Sequence, residues 1–304
     1  NGFLLSIILA NIVSNYYLIK KLRLFDVFSI HKISIKKLSE MLHYSVPLIP
    51  NSIAWWATST INKYFILYFI DVAANGIYAV ANRIPSLLSV MNSIFFQSWQ
   101  ISAIKEYENK NKNEFYSNVF NAYSKFMFLG VSGVLFILIP MMKVLISREF
   151  FISWKYVPFL LMTVLYSSFA GFFGQYYIAA KKTNGIFITT VIGGVINIIL
   201  NFIIIPIFGL QGAGISSCIS FFALWFIRVR TTRSFVITTL NKGNLICNHL
   251  ILYSQIVSIL IIHGTWMYVL NTFLFVLSLL TNIEIVNKMW NIIWKIGKSR
   301  VKNK

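Results

Sequence analysis

Long apolar runs recur along the whole sequence, separated by short links rich in lysine and arginine. A run of about 20 apolar residues is the length of a helix that crosses a bilayer. Hydrophobic residues make up 57% of the chain, charged residues 12%, and the mean hydropathy is +0.71. A soluble domain would carry about 25% charged residues. The sequence therefore predicts an all-α polytopic membrane protein, with lipid rather than a second layer of protein covering its outside. In a soluble protein the net charge of +19 would suggest nucleic acid. Here the cations lie in the links, so they report topology, and no nucleic-acid partner is expected. Cys218 and Cys247 sit in or beside apolar runs with no ligand pattern near them, and suggest neither a disulfide nor a metal site. The chain begins at Asn1 inside an apolar run, which reads as a piece lacking its N-terminal part.

About nine spans are expected, at 2–19, 42–70, 75–100, 117–140, 155–179, 185–206, 211–229, 245–263 and 266–284. Pro140 and Pro206 are expected to close the fourth and sixth. Ile33, Ile35, Leu38 and Met41 among lysines suggest a stretch on the membrane surface after the first span. With that link in the cytoplasm, 21 of the 27 Lys and Arg, Arg228 among them, fall on the cytoplasmic side. Only Lys143, Arg148 and Lys155 fall outside, and Lys63, Arg83 and Lys125 lie within spans. This bias places the C-terminus in the cytoplasm. Trp99, Trp154, Trp225, Trp266, Trp290 and Trp294 fall near expected interfaces, where tryptophan is common.

The hairpin at 44–100 carries the chemistry. In its second arm Asn75, Tyr78, Asn82, Ser86, Ser89, Ser93, Gln97 and Gln100 recur at spacings of three and four, one polar face along a whole helix. Arg83 and Asn92 widen it. The first arm has a shorter version in Asn51, Trp55, Thr58 and Asn62, widened by Ser52, Ser59 and Lys63. Polar side chains in lipid face a bundle interior or a watery path. Lys63 and Arg83 each lie eight residues, about 12 Å, from the outer end of the hairpin. Two cations at one depth suggest attraction for a phosphate-like anion. Other accounts stand beside this one. Lys63 can snorkel to the headgroups, Arg83 can bind carbonyls freed by Pro85, and the serines can act as glue between helices. Trp55 and Trp56, placed mid-membrane, can pack or stack on a sugar. Lys125 is expected to snorkel. Gly171, Gly174, Gly193 and Gly194 permit close helix approach. Pro47, Pro50 and Pro85 mark kinks.

No acidic residue lies deep in a span, no carboxylate pair or phosphate-binding loop is present, and the four histidines form no metal pattern. No catalytic residue, metal or cofactor is therefore expected, and the chain does not read as an enzyme.

The stretches LSEMLHYSVPLIPNSIAWWATSTINKYFI and ANGIYAVANRIPSLLSVMNSIFFQSWQ closely resemble the start of the C-terminal half of bacterial polysaccharide transporters. These are O-antigen-type oligosaccharide flippases of the multidrug/oligosaccharidyl-lipid/polysaccharide exporter superfamily. NIILNFIIIPIFGLQGAGISS is similar to that family's Asn-rich helix, Pro and Gly-x-x-Gly-Ala turn. The resemblance covers about 38–235. It implies a C-terminal portion of a protein of 12–14 helices in two bundles around a cavity. Residues 1–43 would supply the last helix of the first bundle and a basic connection, 44–235 a six-helix bundle, and 236–304 two more helices and a basic tail. It implies flipping of an undecaprenyl-diphosphate-linked oligosaccharide across the bacterial inner membrane, for O-antigen lipopolysaccharide or capsule. Membrane lipids, a polysaccharide polymerase and a chain-length regulator would be its partners. Asn62-Lys63-Tyr64 stands where the family often has Asp-Arg-Tyr, so the cation is kept and the acid lost. The alternatives are a cation-coupled drug exporter of the same superfamily, a membrane polymerase or acyltransferase, and an inert partner subunit.

Overall fold

The computed structural model describes residues 2–22, 34–46, 48–288, 290–291 and 294; the side chains of residues 3 and 57–59 are outside that description. Pro47, Ile33, Thr58 and Ser59, singled out above, therefore lie outside it. Every regular element among the described residues is helical. The chain forms two compact units, Asn1–Val46 and Pro47–Lys304.

The first unit holds α1 (Gly2–Lys21) and α2 (Ile35–Ser45). The Ser34 side chain caps α2 by accepting from the Lys37 amide at 3.4 Å. Ile35, Leu38, Met41 and Leu42 share one exposed side of α2, so the expected surface stretch is an amphipathic helix.

The second unit begins with α3 (Leu48–Phe69), α4 (Val72–Ala81) and α5 (Arg83–Glu106). It continues through α6 (Lys112–Leu145), a 3-10 segment (Arg148–Tyr156), α7 (Val157–Ala179), α8 (Thr183–Phe208) and α9 (Leu210–Thr232). The last helices are α10 (Lys242–Ile261) and α11 (Thr265–Thr281). By length and composition α6, α7 with its preceding 3-10 segment, α8, α9 and α10 can cross a membrane, while α4 and α11 are shorter apolar helices.

Three expected boundaries change. Neither Pro140 nor Pro206 ends its helix: α6 runs on to Leu145 and α8 to Phe208. α8 stops at Gly209, whose φ of +57° and ψ of −139° suit a residue without a side chain. The turn is tight enough that a Cβ on Gly212 would lie 2.7 Å from the Ile204 carbonyl oxygen. The third expected span is not one helix, because it breaks at Asn82 into α4 and α5. Pro85 then falls in the first turn of α5, where a missing N–H costs no helical hydrogen bond.

α7 is the centre of the bundle, with 78% of its apolar stretch buried against 22% for α8. Trp99 stacks on Phe172 with ring centroids 4.4 Å apart, and Tyr123 stacks on Phe95. Trp99 and Trp225 are buried in this aromatic core rather than at an interface, which corrects the expectation for both. α8 is inverted relative to a soluble helix. Thr189, Gly193, Asn197 and Asn201 face inward, while Ile188, Ile192, Val195, Ile199 and Phe202 face outward. Only a helix solvated by hydrocarbon gains from that arrangement.

The link from α9 to α10 is laid along α6. The amides of Ile237, Thr239 and Asn241 donate to Asn113 Oδ1, Ser117 Oγ and Asn121 Oδ1 at 3.0, 2.9 and 3.1 Å. Asn121 Nδ2 returns a bond to the Thr239 carbonyl. Every fourth helical residue advances about 6 Å and every second extended residue about 6.6 Å, so the two repeats stay in step. Lys125 continues the ladder and forms an ion pair with Glu284 beyond α11, which corrects the snorkelling expectation. α10 is joined to α11 by Gln255 to Asn271, and to Asn282 just beyond α11 by Asn248.

Candidate functional site

The kink at Asn82 divides the expected polar face into two environments. Beyond it, Arg83, Ser86, Ser89, Ser93, Gln97 and Gln100 form an exposed stripe along α5. The hydroxyls of Ser86, Ser89 and Ser93 donate to carbonyls of their own helix, so their oxygens still accept from outside. Asn92 accepts from the Tyr123 hydroxyl and belongs to the core side. Before the kink, Tyr78 is buried, Asn75 is half-buried, and Asn82 folds back to donate to the Tyr78 carbonyl.

The first arm is divided too. Asn62 is 4% exposed, its neighbour Lys63 exposed. Asn62 Nδ2 donates to Tyr78 Oη at 3.0 Å and Ser217 Oγ at 2.6 Å, and its Oδ1 accepts from Asn201 at 2.7 Å. Asn201 also donates to Asn197 Oδ1 at 3.0 Å. Side chains from α3, α4, α8 and α9 thus meet in one neutral knot. Asn62 and Tyr78 are therefore interior residues, not members of the exposed path. Lys63 and Arg83 are both exposed, and neither forms an ion pair among the described residues.

A second polar tier lies one to three turns into α3. Asn51 Oδ1 accepts from the Thr190 hydroxyl at 2.6 Å. Thr190 in turn accepts from Arg228 Nη2 at 2.8 Å. Arg228 is 1% exposed, which corrects its assignment to a solvated cytoplasmic link. Its Nε donates to Thr189 Oγ1, and its Nη1 and Nη2 donate to the carbonyls of Ala170 and Ile186. Room for the guanidinium exists because residue 174 is glycine: a Cβ there would lie 2.9 Å from Nη1. The Trp55 ring has its centroid 5.8 Å from Arg228 and is stacked on Phe221.

Sequence reasoning missed Arg228, Thr189, Thr190, Asn197, Asn201 and Ser217. A signal for some of them was available. Thr189, Gly193, Asn197 and Asn201 recur every fourth residue in an otherwise apolar run. Arg228 gave no such signal, because it stands at the edge of its run beside Arg230 and Arg233.

α5 also borders an apolar cleft of about 580 Å³. Leu88 and Met91 of α5, Gly130 and Ile137 of α6, and Phe275 and Leu279 of α11 are among its walls, which are almost wholly apolar. Gly130 and Gly133 keep the α6 wall low.

No family model matches the chain, and no curated protein does. Solved structures do, and two of them follow. Lipid II flippase MurJ in its inward closed conformation matches with a TM-score of 0.59 at 15% identity, covering 86% of this chain and 56% of that one. A second, named protein A, matches with a TM-score of 0.54 at 16% identity, covering 83% of this chain and 62% of that one. At these identities the likeness is one of fold. The chain spans a little over half the length of the flippase it matches.

Proposed function

We propose that the chain is part of a flippase that carries a lipid-linked oligosaccharide across the bacterial inner membrane. The observation that carries this reading is the two-sided surface of α5. One side is the exposed stripe of Ser86, Ser89, Ser93, Gln97 and Gln100, and the other supplies Leu88 and Met91 to the apolar cleft. An amphiphile with a glycan head and a long hydrocarbon tail meets suitable chemistry on both sides of one helix. Arg83 at the head of the stripe, with Lys63 on the neighbouring arm, offers charge to the diphosphate between head and tail. The likeness of fold to a lipid flippase supports the same reading. The mechanism would be alternating access, with this bundle rocking against another around the cargo. The O-antigen or capsule repeat unit suggested by the resemblance is the cargo we favour, with surface-polysaccharide assembly as the setting and a polymerase and chain-length regulator acting downstream.

The test is made in the cells that carry the gene, by following their surface polysaccharide. Arg83→Ala is expected to accumulate lipid-linked repeat units in the cytoplasmic leaflet and deplete surface glycan, with protein levels unchanged. Normal surface glycan in that variant overturns the role of Arg83. Normal glycan in a deletion strain overturns the flippase reading.

A further inference from the structure

Arg228 is a buried cation held only by neutral groups: two threonine hydroxyls and two carbonyls. The only ion pair among the described residues, Lys125–Glu284, lies elsewhere. Burying a charge without a counter-charge is costly even among neutral acceptors. The bundle nevertheless keeps a net positive charge in its interior, where the field is weakly screened. Among the described side chains, two of α3 link that charge to the bundle surface. Asn51 and Trp55 stand one turn apart on α3, and both are only partly buried. Asn51 reaches Arg228 through the Thr190 hydroxyl, and Trp55 lies directly beside the guanidinium. The seam beneath Trp55, lined by Thr190, Gly193 and Gly194, admits no water-sized molecule, so a ligand feels Arg228 without touching it.

We infer that Arg228 is a positioning residue for a phosphate-bearing group. Its charge turns the Asn51–Trp55 surface of α3 into a docking spot for the diphosphate of the cargo, separate from Arg83 and Lys63. This rests on the flippase reading for the identity of the cargo, but not for the existence of the spot. Asn51 engages Thr190 through Oδ1, which leaves its two Nδ2 protons to be offered to an anion. Trp55 provides a flat wall for the sugar beyond it. An anion on this surface would stand about 10 Å from the guanidinium, where a unit charge changes affinity on the order of tenfold at the dielectric effective in proteins.

The test uses the 304-residue chain in nanodiscs of neutral phosphatidylcholine, with inorganic pyrophosphate as probe and equilibrium dialysis as readout. Three variants separate charge from structure. Arg228→Gln removes the charge, Arg228→Lys keeps it, and Asn51→Asp supplies the missing counter-charge through the same Thr190 contact. Pyrophosphate affinity is expected to fall at least about tenfold in Arg228→Gln and in Asn51→Asp, and to be retained within about threefold in Arg228→Lys. The wild-type affinity should also weaken as ionic strength rises. A purely structural Arg228 predicts a different pattern, with Gln and Lys equally impaired. That pattern, or wild-type binding in Arg228→Gln, overturns the inference. Because the readout is binding at equilibrium, its failure leaves the flippase reading standing. Loss of the flippase reading in the deletion test likewise leaves the docking spot standing.

Discussion

Replacing Asn201 by leucine tests the neutral knot between α3, α4, α8 and α9. Asn201 is completely buried and makes two donor bonds, to Asn62 and to Asn197. They do not count equally. Asn197 is one turn away on the same helix, so that bond survives whenever α8 is helical, in the folded and in the dispersed state alike. Of these two, only the bond to Asn62 joins α8 to α3. Side-chain bonds between helices in membranes average about 0.6 kcal/mol. Asn62 Oδ1 would be left without its donor inside the bundle, which adds about 1–3 kcal/mol. Asn201→Leu is therefore expected to lower the unfolding free energy by about 2–3 kcal/mol. Reversible unfolding in mixed detergent micelles, followed by tryptophan fluorescence, measures this. Asn62→Leu closes a double-mutant cycle, because the Asn62 acceptor that Asn201 satisfies disappears with it. The coupling between the two positions should be about 1 kcal/mol or more. A loss below about 0.5 kcal/mol in Asn201→Leu, or additive effects in the double variant, refutes the view that this bond ties α3 to α8.

The ladder on α6 predicts that Ser117→Ala raises amide exchange at Thr239 about fivefold, roughly the effect of one lost bond of about 1 kcal/mol, and leaves exchange within α10 unchanged. The Lys125 ammonium, hydrogen-bonded to and paired with Glu284, holds that carboxyl below its ordinary value of 4.5. Its folded pKa is depressed, so the stabilisation is present above 4.5 and is lost as pH falls through the lowered folded value. The gap in melting temperature between the wild type and Glu284→Gln should accordingly be constant near neutral pH and close below about 4.5. Gly209→Ala should cost about 1–3 kcal/mol from backbone strain alone. Nothing lies within 4 Å of the added methyl group, so a normal melting temperature would show that the turn can relax. Trp99→Ala should cost about 3–5 kcal/mol, because it empties the stack on Phe172, whereas Trp266→Ala on the exposed side of α11 should cost far less.

Much of the architecture was legible in the residues because membrane insertion is read locally. The length and apolar content of the runs at 117–140, 155–179, 185–206 and 211–229 located α6 to α9 to within a few residues at most ends. Proline was the least reliable guide. Pro140 and Pro206 lie within helices, because a long apolar helix packed by its neighbours tolerates one lost bond. Pro85, flagged only as a kink, coincides with the division between α4 and α5.

The polar stripe shows where local reading stops. Spacing placed Asn75, Tyr78, Asn82, Ser86, Ser89, Ser93, Gln97 and Gln100 on one face of one helix, and Asn51, Asn62 and Lys63 on the arm before it. Tertiary structure then divided them. Tyr78 and Asn62 were drawn into the bundle because Asn201 and Ser217 offered partners there, while the stripe from Ser86 to Gln100 stayed exposed because no described element of this unit covers α5 on that side. Arg228 is the sharpest case. Its own neighbours, Arg230 and Arg233, place it in a basic link. Its burial depends on Gly174 and the Ala170 carbonyl, more than fifty residues earlier, and on Thr189 and Thr190 of α8. The sequence by itself determined that this chain is a set of membrane helices, because hydrophobic transfer is a sum over consecutive residues. Only the tertiary structure decided which polar groups look outward and which face each other, because a polar side chain in lipid goes wherever a partner stands, and its partners come from other helices.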